Sequence, residues 1–259
     1  MEQNIPVVIL CGGFGTRLRE ETEYKPKPMV EIGGKPVLWH IMKIYAHYGF
    51  RRFILCLGYK GNIIKDYFLN YEAMSNDFTL HLGQENSLTY HSNHPEQGFD
   101  VTLVDTGLKT MTGGRVKRIE RFVDSDTFMV TYGDGLANVD IGELVAFHCQ
   151  RGKLATLTAT RQPSRYGILE MTADGQVVRF REKVQTEWIN GGFFVFNRRV
   201  FDYLDSDCVL EREPMERLAA DGQLMAFRHE DFWVGMDTFR EYEMLNHIWN
   251  AGNAPWKVW

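Results

Sequence analysis

The stretch "VVILCGGFGTRL", residues 7 to 18, follows an apolar run with Gly12, Gly13 and Gly15 and then supplies Thr16 and Arg17. Glycines leave the backbone bare, so several amide N–H groups can converge on one anion, and arginine adds a planar, permanently charged fork for oxygen acceptors. That chemistry suits a polyphosphate. Spacing excludes two familiar phosphate loops: from Gly13 a G-x-G-x-x-G run is met at Gly15 but fails at Leu18, and no G-x-x-x-x-G-K-[ST] run occurs. Taken alone, the glycines could equally make a tight turn beside a solvated Arg17.

Further on, "KPKPM" (25–29) sets Lys25 and Lys27 between prolines, which stiffen the segment and argue against a helix across it. Lysines in such a setting are often solvated, yet two cations on a loop just after a glycine-rich turn extend the phosphate reading. Asp134 in "YGDG" closes an apolar strand on a turn, and Asp237 in "GMDT" stands at the start of the last helix, where it would make a fair N-cap. An isolated aspartate at such a place is usually structural. A triphosphate, however, calls for a divalent cation, and two carboxylates able to share one Mg²⁺ are the pair that chemistry requires. Glu182 and Lys183, ending the strand-like "QVVRFRE", read either as an exposed charged pair or as ligands. Asn190 in "INGGFFVF" offers a carboxamide suited to sugar hydroxyls, or marks a strand bulge before two glycines.

In combination and in this order, "GGFGTRL", "KPKPMVEIGGKPVLWHIM", "TYGDG", "EK" (182–183), "INGGFF" and "MDT" (236–238) make the chain resemble the sugar-1-phosphate nucleotidylyltransferases from about residue 5 to Trp259. Within that family, "LVDTG", "MTGGRVKR" and "FWVGMDTFRE" are similar to members that take CTP and α-D-glucose 1-phosphate to CDP-glucose and pyrophosphate, for CDP-deoxyhexose and cell-surface polysaccharide synthesis. The resemblance implies Mg²⁺ as cofactor, held by Asp134 and Asp237, and Arg17, Lys27, Asp134 and Asp237 as catalytic residues. It places Leu10, Gly12, Gly13, Gly15, Thr16, Arg17, Lys27, Thr110, Arg115 and Gly133 on the nucleotide, with "DTGLKTMTGGR" (105–115) reading the base. Glu182, Lys183 and Asn190 fall on the sugar phosphate. Two departures stand out: Cys11 replaces a common alanine, small for small, and Val184 replaces the usual proline in a shortened segment after Lys183. Three rivals are a sister transferase using dTTP, UTP or GTP, a regulatory binding protein, which would have lost a metal carboxylate or phosphate cation, and a nicotinamide dehydrogenase, which fails on the third glycine.

The elements that must position these residues follow from periodicity. "IPVVILC" (5–11), "RRFILCLG" (51–58), "VTLVDT" (101–106) and "TFMVTY" (127–132) read as strands, and their continuous apolar character is that of a parallel sheet covered on both faces. Helices are expected from Val37 to Tyr48, with Pro36 in the first turn and Gly49 as the stop, through Ile63–Tyr71, across 113–122, and from Asp140 to about Arg151. Residues 73–99 read as an excursion or flap, with His91 and His94 exposed rather than bound to a metal. The expected fold is α/β, a Rossmann-like, mostly parallel twisted sheet flanked by helices, with a β-rich sugar-binding part and C-terminal helices. One domain spans 1–259, about 1–140 for the nucleotide and about 141–259 for the sugar and the C-terminal part. Strand ends at Gly12, Gly58 and Gly133 put a ligand crevice at the carboxyl edge of the sheet.

A chain of 259 residues with 24% charged and 44% hydrophobic residues has the composition of a soluble globular protein. The net charge of −5, with no basic concentration, argues against nucleic acid as a partner. Cys11, Cys56, Cys149 and Cys208 form no C-x-x-C pair, which suggests neither a zinc site nor a disulfide framework. No apolar run approaches the ~18 residues of a membrane span, and no leader precedes Ile5. A cytoplasmic protein with no membrane partner is expected, with the tryptophans at 249, 256 and 259 in packing or in a homo-oligomer contact.

Overall fold

The computed structural model describes residues 4–15, 18–83, 87–92, 94–96, 98–161, 167–181 and 187–259. Its first strand, β1 (Val7–Leu10), is buried along its whole length. Val7 and Ile9 point into one core, with Ile41, Tyr45 and Phe193, while Val8 and Leu10 point into a second, with Val116, Phe128 and Phe194. Alternation of that kind means a sheet with helices on both faces, as the unbroken apolar run predicts.

Six more strands join it: β2 (Arg52–Leu57), β3 (Asp100–Asp105), β4 (Thr127–Tyr132), β5 (Ala155–Thr160), β6 (Ile189–Asn197) and β7 (Leu224–His229). Their spatial order is β7-β5-β6-β4-β1-β2-β3. β3, β2, β1 and β4 run parallel, β5 and β7 are parallel to each other, and β6 is antiparallel to both of its neighbours. The sheet is therefore mostly parallel, and β6 joins its two halves into one body. The edge strand β7 has no counterpart among the strands expected from periodicity, because "LMAFRH" is half exposed and carries no clean alternation.

Helices form where spacing and end signals agree. The first, α1 (Val37–His47), starts after Pro36 and stops before Gly49, which takes a φ of +90°. α2 (Gly61–Leu69) and α3 (Thr112–Arg118) follow, the latter continued only by a 3₁₀ turn, Glu120–Phe122, where a single helix to residue 122 is expected. The Asp140 side chain caps α4 (Ile141–Arg151) by accepting from the Glu143 N–H at 2.8 Å, and Gly152 ends it at a φ of +60°. α5 (Glu213–Ala220) and α6 (Phe239–Asn250) close the chain.

The excursion after residue 73 contains a hairpin, Phe78–Leu80 paired with Leu88–Tyr90, its first strand in "FTLHL", which alternates like a strand. One expectation there needs correction. His91 is exposed as expected, but the His94 side chain is only 6% accessible, with Nε2 2.9 Å from Glu72 and Nδ1 3.4 Å from the buried Glu96. Acidic partners on both sides draw His94 inward. Trp256, one of the tryptophans expected in packing or an oligomer contact, is fully buried, stacked on Phe232 and Trp249, with its N–H 3.3 Å from His40 Nδ1.

Candidate active site

A cavity of about 580 Å³ opens at the carboxyl ends of β1 and β4. Residues 10–15, Lys27, Pro28, 108–112, Arg115, 131–135, 190–192, Trp233, Gly235 and Asp237 line it. Carboxyl edges of parallel strands end in loops and helix starts whose N–H groups face outward, which is why ligands collect there.

The three glycines of the first loop have different physical duties. A Cβ on Gly12 would fall on the Arg115 guanidinium, one on Gly13 would meet nothing within 4 Å, and Gly15 takes a φ of +64° that disfavours any side chain. Only Gly13 is bare toward the cavity. Arg115, on α3, lies buried beneath the loop: Nη1 donates to Leu57 O (3.0 Å), Thr106 Oγ1 (2.8 Å) and Gly107 O (2.8 Å), and Nη2 to Gly12 O (3.0 Å) and Leu108 O (3.4 Å). Burial lowers the pKa of this guanidinium, yet arginine stays charged at any physiological pH. Arg115, expected to touch the nucleotide, borders the cavity and also binds protein acceptors, tying the ends of β1, β2 and β3 to the 105–115 loop. Accordingly, Gly12→Ala is expected to destabilise the fold by about 1–3 kcal/mol through overpacking. Gly13→Ala should leave the melting temperature unchanged and raise the nucleotide KM, since its methyl would project into the cavity; thermal melts and steady-state kinetics check both.

Lys27 reaches the crevice from a 3₁₀ turn, Lys27–Met29, a correction to the helix-free loop expected of "KPKPM". Pro26 precedes it with extended backbone (φ −68°, ψ 152°), and Pro28 sits within the first turn, where its missing N–H costs no internal bond. The Lys27 ammonium lies 2.5 Å from Asp134 Oδ2 and 2.7 Å from Asp237 Oδ1. Burial alone would lower its pKa, but the two carboxylates outweigh that and hold it above the ordinary lysine value.

Asp134 and Asp237 meet through a small antiparallel ribbon, Gly135–Ala137 paired with Trp233–Gly235. Gly235 stands opposite Gly135, and the Met236 N–H donates to Asp134 O at 2.9 Å, so the residue before one strand faces the residues after the other. Asp237 is not the N-cap of α6. Thr238 is, in a capping box with Glu241, whose Oε2 accepts the N–H groups of both Asp237 and Thr238 at 2.8 Å. With capping assigned to its neighbour, Asp237 turns its carboxylate toward Lys27 and Asp134.

Two hard oxygen donors already converging on one cation, the lysine ammonium, fit Mg²⁺, which uses one or two carboxylates and completes its shell with water and phosphate. Among the described residues no group of three or more His, Cys, Asp or Glu could hold a metal by itself.

Of the other expected residues, Thr110 is 8% exposed on the cavity wall. Gly133 packs so tightly that a Cβ would lie 2.7 Å from Pro28 Cγ and 2.8 Å from Leu10 O. Asn190 lines the cavity wall with Gly191 and Gly192. Thr16, Arg17, Glu182 and Lys183 lie outside the described residues. Periodicity and motif reading passed over three others: Trp233, whose Nε1–H donates to Gly191 O at 2.6 Å, and the bonded pair Tyr132 and Glu211. A tyrosine ending a buried strand needs a partner for its hydroxyl, so Tyr132 carried a usable signal. Glu211, in a turn between helices, carried none.

Comparison with known proteins agrees with this architecture. A curated relative from Salmonella typhimurium named glucose-1-phosphate cytidylyltransferase is 53% identical over 256 residues, covering 97% of this chain and 98% of the relative. A second, from Bacillus subtilis, named probable glucose-1-phosphate cytidylyltransferase, is 46% identical over 257 residues, covering 97% and 99%. The crystal structure of HddC from Yersinia pseudotuberculosis shares the fold with a TM-score of 0.70 at 24% identity, over 95% of this chain and 99% of that one. Residues 6–237, which hold the glycine loop, Lys27 and both carboxylates, match the family model described as nucleotidyl transferase, and the chain belongs to that family.

Proposed function

We propose that the protein transfers the cytidylyl group of CTP to α-D-glucose 1-phosphate, giving CDP-glucose and pyrophosphate. The observation that carries this reading is the 53% identity, over nearly the whole of both chains, to a relative bearing that name. The geometry described above supports it, since one cavity is bordered by a glycine loop, a cation between two carboxylates, and a carboxamide on the opposite wall.

A phosphate oxygen of the sugar attacks the α-phosphorus of CTP in line; that P–O bond forms as the bond to the β-phosphate oxygen breaks, and pyrophosphate leaves. The sugar phosphate has a second pKa near ~6 and is largely ionised at neutral pH, so no general base is needed. Catalysis then consists of positioning and charge neutralisation. Asp134 and Asp237 would hold Mg²⁺, which supplies positive charge to the phosphate oxygens when bound. Lys27 holds the α-phosphate, Arg17 stabilises the departing pyrophosphate, and Gly13 lets the triphosphate lie against the backbone. Thr110 and the 105–115 loop read the base, Asn190 and Glu182 hold the sugar, and Lys183 its phosphate. The first part of the chain, to about residue 140, carries the nucleotide and the remainder the sugar, within a single domain.

The product would serve CDP-deoxyhexose and lipopolysaccharide synthesis in the cytoplasm, by a homo-oligomer. Among the described residues no helix is long and apolar enough to cross a membrane. Pyrophosphate release measured with CTP, dTTP, UTP and GTP against several sugar 1-phosphates tests the reading. CTP is expected to be preferred by at least ~10-fold, about 1.4 kcal/mol of differential binding, and equal turnover of dTTP would reassign the base.

A further inference from the structure

Tyr132 closes β4 with its ring edge-on to Phe194 at 5.8 Å. Gly192, at a φ of +76°, makes room for that ring, since a Cβ there would collide with it. The Tyr132 hydroxyl donates to Glu211 Oε1 and lies 3.2 Å from Asn190 Nδ2. The other Glu211 oxygen accepts from Thr112 Oγ1 at 2.7 Å, and that hydroxyl in turn accepts the Leu210 N–H at 2.9 Å.

Every proton in this chain has a determined direction. An ionised carboxylate only accepts, so both hydroxyls must donate to Glu211. The phenol has one proton, so toward Asn190 it can only accept, which turns the Asn190 NH₂ to Tyr132. Independently, Asn190 Oδ1 accepts the Gly192 N–H at 2.9 Å. Two unrelated contacts select the same amide orientation.

Once these bonds are made, Asn190 retains one N–H and one Oδ1 lone pair on a planar group at the cavity wall. A donor and an acceptor held side by side match two neighbouring hydroxyls on a pyranose ring. We propose that Tyr132 and Glu211 are positioning residues that orient Asn190, and that through it they select the hydroxyl stereochemistry of the sugar 1-phosphate. This rests on the sugar-binding reading of the site given above. Neither residue needs to touch the sugar: without the phenol the Asn190 carboxamide is held by the Gly192 N–H alone, and its NH₂ loses the partner that fixes where the remaining donor points.

The test is steady-state pyrophosphate release by wild type, Tyr132→Phe, Glu211→Ala, Asn190→Ala and the Tyr132→Phe/Asn190→Ala double variant. Phenylalanine keeps the ring packed on Phe194, and Glu211 is exposed, so both single variants should fold. Each is expected to raise the KM for glucose 1-phosphate by ~10-fold, leave the KM for CTP within ~2-fold, and cut the kcat/KM preference over galactose and mannose 1-phosphates by ~10-fold. In the Asn190→Ala background Tyr132→Phe should change the sugar KM by less than ~2-fold, because both act through one carboxamide. Equal rises in both KM values, an unchanged epimer preference, or additivity in the double variant would overturn the proposal. If wild type uses a different sugar 1-phosphate, the substrate reading falls while the same proteins, assayed with that sugar, still decide the positioning role. A wild type inactive with every pair overturns both.

Discussion

Lys27→Ala is expected to lower the rate of pyrophosphate release by ~100-fold or more at saturating CTP and glucose 1-phosphate, the range of single electrostatic stabilisers. The ammonium is held at one point by a 3₁₀ turn between Pro26 and Pro28 and by two carboxylates at 2.5 and 2.7 Å. Lys27→Arg should not restore the rate fully, since a broader guanidinium cannot take a point-charge position on so constrained a turn. The structure adds a consequence for stability. Removing Lys27 leaves Asp134 and Asp237 facing each other without their shared cation. Their side chains are 30% and 32% exposed, so solvent screens part of the repulsion and the metal-free variant should lose about 1–2 kcal/mol. Added Mg²⁺ should recover that loss, because a divalent ion replaces the missing charge. Thermal melts in EDTA and in Mg²⁺ check this without any turnover. Equal rates for wild type and Lys27→Ala, with melting temperatures insensitive to Mg²⁺, would return Lys27 to the role of a solvated loop residue.

Asp134→Asn and Asp237→Asn should each nearly abolish turnover while leaving the fold intact. An amide keeps the size and one acceptor of the carboxylate but removes the charge that a divalent cation requires. Neither substitution touches the packing that creates the site. The Met236 N–H bond to Asp134 O and the Asp237 N–H bond to Glu241 use only backbone groups of the two aspartates, and the Thr238 N–H bond to Glu241 uses neither, so ribbon and capping box persist. Far-UV circular dichroism should therefore match wild type, and Mn²⁺ affinity by paramagnetic resonance should fall in both variants. Near wild-type turnover in Mg²⁺ for either one would remove that residue from the metal site.

Much of this protein was legible along the chain. The run 7–10 demands burial on both faces because no residue in it is polar, the helical spacing of apolar residues from Val37 to Tyr45 predicts α1, which is buried at nearly every position there, and Asp140 and Gly152 bracket α4 by capping chemistry that acts over a single turn. The anion loop proposed at the glycines beside Thr16 and Arg17 rests on the same kind of local reasoning. What lay beyond reach was set by contacts between distant residues. Asp134 and Asp237 become one site only because Gly135 pairs with Gly235, and a register between two three-residue strands leaves no periodic trace in either. The cap of α6 belongs to Thr238, one residue past Asp237, since Glu241 reaches the backbone there. Gly12 looks like part of the phosphate loop from its neighbours, yet a guanidinium from α3 fills the space beside it. Tyr132 and Glu211, 79 residues apart along the chain, find each other by the same route. Local sequence thus determined which elements form and what charges they carry. Tertiary register decided which charges face one another, because Coulomb and hydrogen-bond energies depend on separation in space and not along the chain.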